Sequence, residues 1–181
     1  MTDPLPKHQA PQYTLRMAVR TVRSRFDHLE RGKIASLRRC RTAAEIVLEG
    51  VYWQVVDSLG REQVNLSHVV LLFPLARHRT SESFSFGGFL RKQLGDSDGG
   101  TLRFRRVLDS RDRDELDHRM RGLLRLAARD GAAVDWGILG TDILWFFADS
   151  DRVRRRWAQD FYAPSSVTPG KPDIADLSSN P

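Results

Sequence analysis

The residues of this chain whose type and spacing could do chemistry are its arginines. Arg121, Arg125 and Arg129 recur at four-residue steps within residues 112–129. On a helix this spacing stacks them one turn apart, about 6 Å per step, close to successive phosphates of a nucleic-acid strand. A planar guanidinium grips phosphate oxygens through paired donors. Four more arginines fall within the five positions 152–156. The opposing reading is internal pairing, since Asp114 and Asp117 stand three or four residues from His118 and Arg121.

Other chemistry finds little support. The five histidines, His8, His28, His68, His78 and His118, are scattered, with no pair at metal-ligand spacing. No metal or cofactor is expected. The chain holds no HExxH, Walker A, GxSxG or GxGxxG motif, and Gly87-Gly88 and Gly99-Gly100 read as turn or helix-entry glycines. Asp112 with Asp114 and Asp149 with Asp151 sit beside arginines at helix starts, where carboxylates cap rather than catalyse. No catalytic residue, enzymatic activity or small-molecule substrate is expected. Trp53, Trp136, Trp145 and Trp157 could stack on bases, but their helical positions argue for core.

Charge is regional. Across 181 residues the formal net charge is +6, with 29 basic and 23 acidic groups, and the isoelectric point lies near 10.1. Such a balance favours polyanions. Residues 14–41 carry +7, residues 77–92 and 100–130 carry +3 each, and residues 42–76 carry −3. Charge alone therefore adds Lys33, Arg38, Arg39, Arg77 and Arg79 to the candidate contacts. The single Cys40 forms no internal disulfide, and no apolar run is long enough to span a membrane. Residues 1–13 lack a charged region followed by an apolar stretch, so a cytoplasmic protein is expected.

The elements that must position these side chains read as helices. Leu15, Val19, Val22, Phe26 and Leu29 form one face over residues 14–30, with Arg16, Arg20 and Arg23 beside it. Further helices are expected at 33–41, 44–58 and 63–78. The last includes HVVLLFPL, where helical spacing is preferred over a buried strand and Pro74 should kink or break the helix beyond it. Residues 78–85 read as a link between two small helical bundles, 14–80 and 84–162. The second bundle holds short helices around 86–94 and 101–108. In its next helix, Leu116, Met120, Leu123, Leu124 and Ala127 make the apolar stripe. Asp135 caps a helix carrying Trp136, Leu139, Ile143 and Phe147, and a last helix carries Val153, Trp157 and Phe161. Residues 1–13 and 163–181, with three and four prolines, read as flexible tails. The fold class is all-α.

The Asp135-Trp136 dipeptide, the helix after it ending in Ile143-Leu144-Trp145, of the Leu-Leu/Ile-Leu-Trp type, a charged turn and the sequence Arg154-x-x-Trp157-x-x-Asp160-Phe161-Tyr162 together resemble the C-terminal end of the CasB family. These are small subunits of the type I-E CRISPR Cascade complex. SFGGFLRKQL, within residues 84–94, resembles the family's glycine-containing helix entry, and residues 101–124 its arginine-rich helix pair, so the likeness spans about residues 73–162. The resemblance implies a cytoplasmic, non-catalytic antiviral subunit that associates with itself and with other Cascade subunits. Its partners would be crRNA, target DNA and the displaced single strand. Carried to this chain, the phosphate contacts it implies are Arg103, Arg105, Arg106, Arg111, Arg119 and Arg121, with Arg91 and Lys92 just before. The aspartates of SRDRDELD weigh against Arg111 and Arg113. Two other classes stay open: a helix-turn-helix regulator built on residues 100–129, and an assembly protein whose basic faces meet acidic proteins.

Overall fold

The computed structural model describes residues 10–57, 65–81, 84–95, 97–129 and 131–163. The expected tails, apart from residues 10–13 and 163, and the expected turn at Gly60 lie outside them. The fold is all-α, with ten α-helices among the described residues. In chain order they are α1 (Ala10–Asp27), α2 (Arg31–Arg39), α3 (Ala43–Leu48), α4 (Gly50–Val56), α5 (Leu66–Leu72), α6 (Phe86–Leu94), α7 (Asp98–Leu108), α8 (Arg113–Arg129), α9 (Trp136–Trp145) and α10 (Ser150–Tyr162). None is long and apolar enough to cross a membrane.

The expected helix over 44–58 is two helices. Ala43 and Ile46 are buried on α3, and Tyr52, Val55 and Val56 on α4. The six-residue step from Ile46 to Tyr52 would place these groups on different sides of one straight helix. An extended Glu49 between them turns both faces to the same core. Residues 66–72 are helical, and Pro74 tightens the continuation into a 3-10 turn, Phe73–Leu75. Beyond it, β1 (Arg77–His78) pairs in parallel with β2 (Ala133–Val134), placing Arg77 opposite Ala133. Two residues carry too little alternation to announce a strand in the sequence.

Helix α9 runs through the middle. Eight of its residues from Trp136 to Leu144 are buried, as expected for a helix covered on all sides rather than one amphipathic against solvent. α1 lies against it, and a Cβ on Gly140 would come within 2.6 Å of Val19. One continuous cluster of buried apolar side chains reaches from Leu15 of α1 to Phe161 of α10, shared by helices on both sides of residues 78–85. Asp135 pins this arrangement. Its fully buried carboxylate caps α9 by accepting from the Ile138 N–H, accepts from the Ser81 N–H at 2.9 Å, and pairs with Arg20 at 3.2 Å.

Candidate nucleic-acid interface

Ser97 accepts the Gly100 N–H at 3.1 Å and starts α7, whose Phe104 and Val107 turn inward. Phe104 stacks on Phe161 of α10 with ring centroids 4.0 Å apart. This anchoring leaves Arg103, Arg105 and Arg106 exposed. α8 starts at a reciprocal cap: Asp112 accepts the Glu115 N–H at 2.8 Å, and Glu115 accepts the Arg111 N–H at 2.7 Å. Leu116, Met120, Leu123, Leu124 and Ala127 bury the inner face of α8, as its spacing predicts.

Between α7 and α8 lies an open groove of about 810 Å³. Five arginines line it: Arg103 and Arg106 from α7, and Arg119, Arg125 and Arg129 from α8. Gly122 and Leu126 also line it. Among the described lining residues the one carboxylate is Glu115, which pairs with Arg119. Arg103, Arg106, Arg125 and Arg129 make no side-chain hydrogen bond or ion pair among the described residues. Four guanidiniums with no ion-pair partner among the described residues on one concave surface are chemically suited to an extended polyanion, since they can exchange bound water for phosphate oxygens.

Arg129 also borders a second recess of about 530 Å³, whose other cationic walls are Arg38 of α2, Arg77 of β1 and Arg23 of α1. Arg23 is already committed. It grips both carboxylate oxygens of Asp27, donates to the Phe73 carbonyl at 2.8 Å, and lies over the Phe26 and Phe73 rings. Burial pulls its pKa below the usual guanidinium range, against the opposing pull of Asp27.

The fold thus gathers Arg103, Arg106, Arg119, Arg125 and Arg129 in one groove and Arg38, Arg77 and Arg129 around its neighbour. Arg105, Arg39, Arg79 and Lys92 are exposed outside both, and Arg91 is half-buried. Arg111 is exposed at the start of α8. Lys33 donates to Gln54 at 3.1 Å. Arg121 points away from the groove and donates to the Cys40 and Arg41 carbonyls, at 3.0 and 3.2 Å, holding α8 to the turn before α3. Its pKa is lowered by burial and by neighbouring Arg125. The ridge read from the sequence is split at this residue.

Three of the four arginines of the α10 run make contacts within the fold, and the fourth, Arg155, is exposed. Arg152 pairs with Asp149 at 2.7 Å, Arg154 donates to the Ser110 carbonyl at 2.8 Å and covers the Phe146 ring, and Arg156 pairs with buried Asp142. Asp142 also accepts the Trp157 indole N–H at 2.8 Å. Trp136 and Trp157 are fully buried, whereas Trp53 is 48% exposed, its indole N–H bonded to the Val47 carbonyl at the α3–α4 break. An exposed Trp53 departs from the expected core position because the break turns it outward while Tyr52 goes in.

His68, Asp114 and Asp117 have ligand-capable atoms within 4.8 Å of one another. Sequence spacing hides this group, because His68 of α5 and Asp117 of α8 are 49 positions apart. His68 Nδ1 lies 2.6 Å from Asp117 Oδ2, and the pair ties the two helices. Burial pushes the Asp117 carboxyl up, while His68 acts in the other direction.

Residues 33–162 match the family described as CRISPR-associated protein Cse2. Comparison with curated protein sequences finds no match. The fold is shared with solved structures, including two at 20% identity. One is a chain of Escherichia coli Cascade bound to a PAM-containing dsDNA target, with a TM-score of 0.63 and 20% identity over 79% of this chain and 93% of that one. The other is CasB from Thermobifida fusca, with a TM-score of 0.60 and 20% identity over 84% of this chain and 97% of that one.

Proposed function

The chain belongs to the CRISPR-associated Cse2 family, and from that premise we propose that it is a non-catalytic small subunit of a type I-E Cascade complex that holds nucleic acid by its phosphates. The observation that carries the reading is the α7–α8 groove, with five arginines and a single, already paired carboxylate. The occurrence of the same fold in a Cascade complex bound to double-stranded DNA supports it.

The mechanism is electrostatic. Guanidiniums replace counterions along a sugar-phosphate backbone, which makes binding sensitive to salt and indifferent to base order. Self-associated subunits beside the crRNA-guided duplex would extend the positive surface. They would hold target and displaced strands and slow re-annealing. Sequence discrimination rests with guide–target pairing, and this subunit supplies a grip.

The test is charge reversal of Arg103, Arg106 and Arg125 to Glu, in a reconstituted complex and in the free chain. The expected result is weaker target-DNA binding in both, with an unchanged far-UV circular dichroism spectrum. Unchanged binding by the folded variant would reject the groove. Tight, sequence-specific duplex binding by the free chain would instead support a helix-turn-helix regulator.

A further inference from the structure

The recess beside the groove has walls that phosphate binding alone does not need. Half-buried Ile34 of α2 and Pro74 and Leu75 of the 3-10 turn give it an apolar side. Arg38, Arg77 and Arg129 stand around it, exposed and without a side-chain hydrogen bond or ion pair among the described residues. The one carboxylate lining it, Asp27, has both oxygens bound by Arg23, so its charge is compensated where an incoming phosphate would meet it. Because Arg129 borders both cavities, a strand lying in the groove reaches the recess without leaving cationic surface.

We infer that this recess takes one unpaired nucleotide of a single strand lying in the groove, its base against Ile34, Pro74 and Leu75 and its flanking phosphates on Arg38, Arg77 and Arg129. The inference rests on the groove reading and adds to it a recess that accepts a base. About 530 Å³ falls within the usual size of small-ligand pockets, which combine apolar walls with a few placed polar groups. Bases within a duplex face each other and cannot enter. An unpaired base can turn outward and exchange water for contact with aliphatic side chains, a hydrophobic gain that does not depend on base-edge hydrogen bonds. The occupant is therefore a single strand.

The experiment compares the full-length chain binding a decamer of oligodeoxythymidylate and an abasic deoxyribose-phosphate decamer of equal charge, by fluorescence anisotropy. Wild type should bind the base-bearing strand about tenfold more tightly, the order expected for burying part of one base against aliphatic side chains. Ala128 is exposed on α8 and lines the recess, so Ala128→Glu leaves the core untouched. In that variant the ratio of the two affinities should collapse toward unity, an effect that added negative charge alone would not produce. Equal affinities in wild type, or a ratio unmoved by Ala128→Glu, would overturn the inference. So would binding of dAMP alone that is lost in Ala128→Glu without any penalty for the abasic strand. Loss of binding to both decamers in the Arg103, Arg106 and Arg125 charge reversal, with equal wild-type affinities, sinks the recess and spares the groove. Undiminished binding in that reversal sinks the groove itself.

Discussion

Glu115 and Arg119 form an ion pair one helical turn apart within the α7–α8 groove, so the one acid among the described lining residues occupies one of its five arginines. The pair competes with any phosphate that approaches Arg119. Glu115→Gln keeps an oxygen for the Arg111 N–H and removes the charge. It should tighten binding of single-stranded DNA about threefold at low salt, read by anisotropy. Unchanged or weaker affinity would place the strand away from Arg119.

Gly122 lies exposed in the middle of α8, and a Cβ there would meet nothing within 4 Å. Gly122→Ala should raise stability by about 1 kcal/mol in urea unfolding, through the lower backbone entropy of Ala in the unfolded chain. A loss of stability would show that the groove beside Gly122 is more crowded than this.

Gly87 sits where α6 meets α10, with the Trp157 carbonyl 2.0 Å from the position of its missing Cβ. The obstacle is backbone, so one helix must move away. Gly87→Ala should cost about 3 kcal/mol, whereas a Cβ on neighbouring Gly88 meets nothing closer than 3.7 Å and Gly88→Ala should cost far less. Equal effects of the two substitutions in thermal melts would contradict the close approach.

Asp135 links stability to pH. Burial alone would raise its pKa, but the N–H groups of Ser81 and Ile138, joined by Arg20, outweigh this and hold the carboxyl below the usual range. A folded-state pKa below the unfolded value adds stability above the ordinary aspartate range, lost as pH falls through the folded pKa. Asp135→Asn, which keeps a capping oxygen, should cost about 1–2 kcal/mol at pH 7, because the buried site loses charge-assisted hydrogen bonds while the partly exposed Arg20 and Arg16 keep access to water. The difference from wild type should narrow below about pH 4. A gap constant from pH 7 to pH 3 would remove the charge from this account.

Much of the fold was legible because a helix face repeats within a few residues. Leu15, Val19, Val22 and Phe26 are buried as their spacing predicts, and Pro74 ends α5 for the reason any proline would. The break at Glu49 was hidden because residues 44–58 contain no proline and the neighbouring Gly50 is tolerated at a helix start. Close approaches at Gly87 and Gly140 depend on which helix arrives from elsewhere. In the groove, Arg125 and Arg129 follow from helical spacing and Arg103, Arg106 and Arg119 from the family resemblance. Arg121, Arg154 and Arg156 bind carbonyls and a carboxylate 14 to 81 positions away, and local charge patterning carries no trace of such partners.

The most direct test of the phosphate grip is the salt dependence of single-stranded DNA binding by the full-length chain. Each phosphate neutralised contributes about 0.7 to the slope of log affinity against log salt concentration for a single strand. Replacing Arg103, Arg106 and Arg125 together with Gln should flatten the slope by about 2 and weaken affinity alike for unrelated sequences. A slope equal to that of wild type would contradict the account.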